Sequence, residues 1–284
     1  RPSDAEGVTN AAWIDHRKQS GIRLGRGASG VTLENVALNM RSFGHGIFLQ
    51  DGVSNITIRD TVVLGDTLAF SDEVIAHPVY QQWGFATYRE MIPAGIRLSR
   101  HEDGVRVYTN PNHATNGWPQ YVHNLTVTRT RVERMRDAFA TGDMTGALRV
   151  TDSQSFENET GFTPSQFASE NTFLRNRGDA LHGPLVLFRR SASNVVLEAE
   201  LAGSAAPVGE WPIALISGTG HQITLARTAP AGLYPETSRI VLARHWREWR
   251  HRPSVDLDAP ASGNVAAPAS GIHLVNRTGQ PVVF

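Results

Sequence analysis

A short motif recurs along the chain and restricts its fold more than any other feature of the sequence. Gly21-Ile22-Arg23-Leu24 is followed by Gly46-Ile47-Phe48-Leu49 and by Gly95-Ile96-Arg97-Leu98, at offsets of 25 and then 49 residues. Because the second offset is close to twice the first, the pattern indicates a series of structural units of roughly two dozen residues. We expect these units to stack so that the isoleucines of the three motifs lie one above another in a shared interior.

A second set of short segments keeps the same spacing. In most of them the first and third residues are apolar and the middle one is polar, which is the alternation of a β-strand with one buried face. From Ile56 onward their starting points are separated by 69, 23, 24, 23, 28 and 49 residues, that is, by whole units of 23 to 28 residues plus insertions. The segments are Val31-Thr32-Leu33, Ile56-Thr57-Ile58, Leu125-Thr126-Val127, Leu148-Arg149-Val150, Thr172-Phe173-Leu174, Val195-Val196-Leu197, Ile223-Thr224-Leu225 and Ile272-His273-Leu274.

Together these repeats predict an all-β fold, a right-handed parallel β-helix, in which one strand-turn unit buries its apolar face only by stacking on the next. We treat residues 1–284 as a single domain, and the abrupt polar start at Arg1 predicts a processed or truncated amino end that lacks early units. Helical periodicity is scarce and is strongest in residues 71–89. Asparagines beside the strands are interpreted as turn residues, some of them stacked as amide ladders: Asn35, Asn55, Asn124, Asn171 and Asn194.

Three segments are too long to be turns between units, and we interpret them as insertions: residues 66–93, 104–121 and 244–270. The first two are rich in aromatic residues, which predicts walls on which sugar rings stack or, equally, local packing. The third begins with a run of Arg, His and Trp at residues 244–252, which would cover the end of the solenoid, and continues as a loop rich in Pro, Ala, Ser and Gly.

Composition excludes several classes of function. The 27 Lys and Arg residues balance the 27 Asp and Glu residues, so no global field favours nucleic acid or an anionic membrane. Lys18 is the sole lysine and cysteine is absent, which excludes thiolate catalysis and disulfides. No apolar run has the length of a membrane span.

The repeats resemble those of the pectate-lyase-like superfamily of right-handed β-helix proteins, in their Gly-Ile-x-Leu form at residues 46–49 and their Asn-Ile-Thr-Ile form at residues 55–58. The resemblance covers roughly residues 20–284. The superfamily includes polysaccharide lyases, glycoside hydrolases, uronate epimerases, pectin esterases and phage tailspikes, so the resemblance implies the architecture rather than one reaction. The catalytic lysine of several lyase families has no counterpart among the repeats, because Lys18 precedes them.

Strand alternation predicts which polar residues face outward. In the segment that begins at Gly95 we expect Arg97, Ser99 and His101 on the outer surface, and one unit later Asp137, Phe139, Thr141 and Asp143. Further units add Glu157, Glu159, Asp179, His182, Arg189 and Arg190. These residues would form a cleft with a charged floor beside the aromatic insertions. His45, between two glycines, is interpreted as a turn residue.

The arginines favour an acidic, uronate-containing polysaccharide as substrate, cleaved by β-elimination. That reaction needs cations for the uronate carboxylate (Arg97 and Arg100), a base for the C5 proton (His101 or His182) and a proton donor for the leaving oxygen (Tyr108 or Tyr121). The expected substrate-binding residues are Trp83, Tyr88, Trp118, Tyr121 and Arg189.

Two alternatives stay open. A glycoside hydrolase would use paired carboxyl groups, either Asp137 with Asp143 or Glu102 with Asp103. A non-catalytic solenoid, such as a trimeric tailspike-like or adhesion module, would carry the same charged residues merely as a solvated outer face.

The polysaccharide substrate implies a secreted or periplasmic protein. No cofactor is expected, no spacing resembles a zinc motif, and calcium ligation has no motif to indicate it.

Overall fold

The structure is a computed structural model that describes residues 20–41, 43–76, 96–109, 121–142, 145–165, 168–203, 214–225, 239–242, 254–256, 273–275 and 282–283. Within these ranges the chain is mostly β-strand, and the helix found there is the short α1 (Ser71–Ile75). The protein is therefore all-β with long parallel sheets, as the sequence predicts.

The strands follow one another in short segments. In chain order they are β1 (Ile22–Leu24), β2 (Thr32–Glu34), β3 (Ala37–Asn39), β4 (Ile47–Gln50), β5 (Ser54–Arg59), β6 (Val62–Leu64), β7 (Ala69–Phe70), β8 (Arg97–Leu98), β9 (Val105–Tyr108), β10 (His123–Thr128), β11 (Arg131–Glu133), β12 (Asp137–Gly142), β13 (Leu148–Thr151), β14 (Gln154–Phe156), β15 (Thr160–Pro164), β16 (Thr172–Leu174), β17 (Arg177–Asp179), β18 (Val186–Ala192), β19 (Val195–Leu201), β20 (Ala214–Thr219), β21 (Gln222–Leu225), β22 (Arg239–Leu242), β23 (Ser254–Asp256), β24 (His273–Val275) and β25 (Val282–Val283).

Two long sheets contain nearly all of these strands. The first runs β1-β4-β9-β12-β15-β18-β20-β22-β24-β23, and the second runs β2-β5-β10-β13-β16-β19-β17-β14-β11-β6-β3, with β21 and β25 beside β19. Most pairings are parallel, and most join strands about one repeat unit apart: Leu125 lies opposite Leu148, and Ile22 opposite Ile47. Across the insertion the partners are farther apart in sequence, as in Leu125 opposite Ile56. Over most of the stack each unit gives one strand to the first sheet and two to the second, as in β12, β13 and β14.

Side chains from successive units stack in the interior. Phe139 stacks on Phe162 of the next unit, with ring centroids 5.9 Å apart, and Phe173, from the second-sheet strand of that same unit, lies 5.1 Å from Phe162. All three are fully buried. Gly46 allows close approach between units, because a Cβ there would lie 2.6 Å from the carbonyl oxygen of Gly104. Continuous apolar columns of this kind supply the core that a single unit lacks.

The corners between strands use the left-handed backbone conformation. Asn35, Asn55 and Asn124 have φ of 53°, 53° and 54°, which confirms the prediction that these asparagines are turn residues. Asn124 also donates a side-chain hydrogen bond to Asn55. At the next corner Asp60, Arg129, Asp152 and Arg175 have φ between 45° and 52°, and their side chains pair as Arg129 with Asp60 and Arg175 with Asp152.

The other two predicted asparagines form a buried ladder. Asn171 and Asn194 are fully buried, and the Oδ1 atom of Asn194 accepts hydrogen bonds from the backbone N–H and the side-chain amide of Asn171, at 3.1 Å and 2.8 Å. The Oδ1 atom of Asn171 in turn accepts the N–H of Leu148 at 3.2 Å. His221 continues the column, since its Nδ1 atom accepts the N–H of Asn194 at 3.2 Å. These amides are inside the stack and not only beside it.

The prediction that Ile96 stacks on Ile47 is wrong. The residue opposite Ile47 is Val105, and Val105 is in turn opposite Phe139. Strand β8, next to Ile96, pairs antiparallel with β7 in a two-stranded sheet outside the long ones. Gly104-Val105-Arg106-Val107 has the same small-apolar-polar-apolar pattern as Gly95-Ile96-Arg97-Leu98, so apolar alternation alone cannot tell which copy enters the stack.

The predicted insertions change accordingly. The chain leaves the stack after Gly65 and returns at Gly104, so strand β9 belongs to the stack although it lies within the predicted insertion 104–121. Residues 77–95 and 110–120 lie outside the described residues, as does most of the predicted loop 244–270, of which β23 is described. A register correction applies at β16, where Phe173 and not Leu174 lies opposite Val150.

Candidate functional site

A cluster of charged residues lies at the corner where the chain enters the first sheet. A polar residue stands at the first position of four successive strands of this sheet or two residues before it: His45, Asp103, Asp137 and Thr160. Every residue of β4, β12 and β15 is buried, so both faces of these strands are covered. The polar groups at their amino ends are consequently buried as well.

Asp103 is at the centre of this cluster. One carboxylate oxygen accepts hydrogen bonds from Arg136 Nη2 at 2.8 Å and Arg136 Nε at 3.2 Å, and the other lies 3.3 Å from His45 Nδ1 and 3.6 Å from Arg106 Nη1. Burial by itself would raise the pKa of Asp103, but Arg136, His45 and Arg106 hold it well below its usual range. Asp103 is therefore ionised at neutral pH.

His45 contacts two acidic residues. Its role therefore goes beyond the turn residue that the sequence predicted. Its Nε2 atom lies 3.1 Å from Glu102 Oε2, and its Nδ1 atom lies 3.3 Å from the backbone nitrogen of Asp103. The ring also contacts Phe48, at a centroid distance of 4.7 Å. His45 and Glu102 are both nearly inaccessible to solvent, so the pair is part of the buried framework of the cluster.

Glu159 differs from the other carboxyl groups of the cluster because it keeps its proton. Burial raises its pKa to about 8, and although Arg136 opposes this shift, the negative charges of Asp137 and Asp103 add to it. Its Oε1 atom accepts the backbone N–H of Ser99 at 2.9 Å. At neutral pH Glu159 is a protonated acid beside ionised neighbours.

His182 lies at the same corner in the next unit, where its backbone N–H bonds to the carbonyl oxygen of Asn158, the neighbour of Glu159, at 3.0 Å. Burial and, to a smaller extent, the charge of Arg97 lower its pKa to about 4. Among the described residues, no partner forms a hydrogen bond with its buried Nδ1 atom. His182 is thus a neutral imidazole at pH 7.

Residues 97–101 connect these groups. Arg97 is exposed, donates to the carbonyl oxygen of Leu68 at 3.1 Å and lies near His182, while Ser99 contacts Glu159. His101 points inward, contrary to the prediction: it is 2% exposed, and its Nε2 atom accepts the N–H of Asp66 at 2.9 Å. With this lone pair bound to the N–H of Asp66, His101 holds the loop in place.

Several other predicted site residues do not face a cleft. Asp137 is 1% exposed and accepts a hydrogen bond from Thr160, whereas Phe139 and Thr141 point into the interior opposite Val105 and Val107. The predicted outward register is wrong because the unit was aligned on Ile96. Asp143, Trp83, Tyr88 and Trp118 lie outside the described residues.

The remaining predicted residues are separated from the corner. Tyr108 ends β9, on the far side of Arg106, whose guanidinium carbon lies 5.3 Å from the tyrosine ring centroid. Tyr121 is 52% exposed and stacks on His123 at 5.1 Å. Arg189 forms an isolated backbone β-bridge with Ser165, near the carboxyl end of β15. The guanidinium of Arg100 lies 4.0 Å from the carboxylate of Glu73. The structure therefore brings together Arg97 and His182 but neither predicted tyrosine.

Sequence reasoning placed Glu159 on the outer surface without assigning it a role, and it missed Arg106 and Arg136. One signal could have found this cluster: an acidic residue stands at the start of the strand or within two residues before it in three units, in His101-Glu102-Asp103-Gly104, Arg136-Asp137-Ala138 and Glu159-Thr160-Gly161. A charged residue at the same place in successive units becomes a vertical neighbour of the next one in a stack.

Within the described residues, no group of three or more His, Asp or Glu side chains could hold a metal ion. No described helix has the length and apolar character needed to cross a lipid bilayer. No protein-family model and no curated protein matches this chain.

Proposed function

We propose that this chain is a right-handed parallel β-helix enzyme of the pectate-lyase-like kind, which cleaves an acidic, uronate-containing polysaccharide by β-elimination. The architecture is supported by the parallel pairing of segments one unit apart and by the three strands that most units contribute. An enzyme with a polysaccharide substrate would be secreted or periplasmic.

The observation that carries the proposed reaction is that residues 97–99 adjoin two titratable groups: Ser99 donates its N–H to Glu159, and the charge of Arg97 acts on His182. Arg97 is an exposed cation, His182 is a neutral imidazole, and Glu159 is a protonated carboxyl group. Elimination from a uronate needs a cation beside the carboxylate, a base for the C5 proton and an acid for the leaving oxygen. The loop of residues 97–99 lies against both His182 and Glu159, which supports a shared role.

In the proposed reaction the Arg97 guanidinium neutralises the uronate carboxylate and so acidifies the C5 proton. His182 accepts that proton, the C5 electron pair forms the C4=C5 double bond, and the C4–O bond breaks. Glu159 gives its proton to the departing oxygen, in the role that the sequence suggested for Tyr108 or Tyr121. No water is consumed, and proton exchange with solvent restores both residues.

The test is to incubate the protein with a panel of uronate polymers and to follow both ultraviolet absorbance and new reducing ends. We expect unsaturated, ultraviolet-absorbing products, and activity that declines as pH rises through about 8, where Glu159 loses its proton. Glu159→Gln should lower kcat by roughly 10²- to 10⁴-fold. Glu157→Gln is the matched control, because Glu157 faces Arg134 at 3.5 Å instead of the corner.

Hydrolysis is a second candidate, favoured by the opposite pKa shifts of two neighbouring carboxyl groups. Asp103 is held ionised and Glu159 protonated, which is the division of labour between the two carboxyl groups of a glycosidase. Reducing ends without ultraviolet absorbance would select hydrolysis over elimination. If no polymer is cleaved, the proposed enzyme activity fails and the non-catalytic solenoid remains.

A further inference from the structure

A short two-stranded ribbon stands outside the stacked sheets and holds two side chains next to each other. In this ribbon β7 pairs antiparallel with β8, so that Phe70 lies directly opposite Arg97. The N–H of Ser71 bonds to the carbonyl oxygen of Ile96 at 2.7 Å and continues the pairing. The first turn of α1 buries Ser71 and anchors the ribbon. The two side chains are therefore positioned by backbone pairing.

Both side chains of this pair face solvent. Phe70 is 47% exposed, which is unusual for a large apolar residue, and the guanidinium carbon of Arg97 lies 4.5 Å from its ring centroid. One Arg97 N–H is held by Leu68, and among the described residues no carboxylate lies within ion-pair distance of Arg97. Cation–π contact and a backbone anchor thus fix a guanidinium whose other N–H groups have no acidic partner there.

A second arginine–aromatic pair shows the contrast. Arg131 lies over Phe156 at 4.7 Å, but its guanidinium binds Glu133 and Gln154. The guanidinium of Arg131 therefore already has an acidic partner within its own chain. The Arg97 pair presents the same geometry with the acidic partner absent from its described surroundings.

We infer that Phe70 and Arg97 form a subsite that binds one uronate residue, with the sugar's C–H face on the ring and its carboxylate on the guanidinium. This inference rests on the proposed function and names its specificity-determining residues. A planar guanidinium matches a carboxylate through two parallel hydrogen bonds, and an aromatic face suits the apolar side of a sugar ring. Because Arg97 is near His182, a carboxylate bound there brings its own C5 close to the base.

The test measures binding separately from turnover, by calorimetry on a Glu159→Gln background. The probes are tetragalacturonate, tetramannuronate and the carboxyl-reduced form of each. We expect the acidic form of at least one sugar to bind at least tenfold more tightly than its reduced form. Arg97→Met should abolish this preference and leave binding of the reduced form unchanged, while Arg97→Lys should retain part of it. Phe70→Ala should weaken both forms, and Phe70→Trp should restore them.

Arg131→Met and Phe156→Ala are the matched controls and should change neither form. Unchanged acidic binding in Arg97→Met, or no binding of any probe, would overturn the subsite. If Glu159→Gln abolishes cleavage while Arg97→Met binds normally, the subsite is wrong and Arg97 loses its role in the proposed reaction, while elimination with Glu159 as the acid stands. If Arg97 sets the preference but the native protein cleaves no uronate polymer, the subsite stands and the proposed reaction falls.

Discussion

Two corners of the same stack carry columns of charged residues, and they differ in almost every physical respect. At the exposed corner, acid and base alternate as Asp60, Arg129, Asp152 and Arg175, and each acid meets one arginine through two hydrogen bonds of 2.6 to 2.9 Å. At the corner before the first sheet, Asp103 and its neighbours are buried and share the same few cations.

Both columns contain acidic residues and arginines. Burial and the balance of charges decide whether a column only stabilises the fold or also contains a group that titrates near neutral pH. At the exposed corner the hydrogen bond from Arg175 lowers the pKa of Asp152, and the pair stays ionised at neutral pH. At the buried corner Arg136 contacts Glu102, Asp103 and Asp137 at once. Glu159, the remaining acidic residue of this corner, keeps its proton. An excess of buried carboxyl groups over cations is what produces a titratable group near neutral pH.

The largest expected effect comes from breaking the buried column. Asp103→Asn leaves Arg136 and Arg106 without their common carboxylate, and we expect the free energy of unfolding to fall by about 3 to 5 kcal/mol. Asp152→Asn is the matched change at the exposed corner, where asparagine suits the left-handed backbone and solvent screens the charge. Urea unfolding of both variants at pH 7 checks the difference, and equal losses would refute the distinction between the two corners.

A smaller loss of stability is expected from changes in the asparagine pairs, of which one is buried and the other exposed. Asn194→Ala removes the acceptor of two donors of Asn171 inside the stack, which should cost about 2 to 3 kcal/mol. Asn124→Gly, in the exposed amide pair with Asn55, keeps the left-handed backbone and should change stability far less. Thermal or urea unfolding measures both. A cost for Asn124→Gly as large as that for Asn194→Ala would show that turn conformation, not buried hydrogen bonding, dominates.

The smallest expected effect is an increase in the free energy of unfolding that depends on pH. The folded protein keeps the Glu159 proton up to about pH 8, whereas the unfolded chain releases it near the ordinary value of 4.5, so rising pH between these values destabilises the fold. Glu159→Gln removes that penalty and should raise the free energy of unfolding at pH 7 by about 1 to 2 kcal/mol, with no gain near pH 4.

Unfolding of this variant and of Glu157→Gln across pH 4 to 8 provides the measurement. Glu157→Gln is the matched control, because it removes a carboxyl group from the same turn that faces Arg134. A gain from Glu159→Gln that does not vary with pH would mean that its carboxyl group is not held protonated.

Part of the site was readable from the sequence and part was not. Arg97 and His182 were expected at the site because both stand in polar positions near strands of the repeat. Glu159 was placed on the surface without a role, since nothing local distinguishes it from Glu157. Its special state comes from Asp137, Asp103 and Arg136, which are distant in sequence. His101 was misassigned because its burial depends on Asp66, across the insertion.

The sequence by itself determined the all-β class, the unit length of 23 to 28 residues and the turn asparagines, because strand alternation and left-handed turns are local properties repeated many times. Only the tertiary structure decided that Val105 and not Ile96 stacks on Ile47. It also decided which charged residues lie buried together. Apolar residues at equivalent positions are interchangeable to a hydrophobic core, whereas the pKa of a carboxyl group depends on every charge and every layer of chain around it.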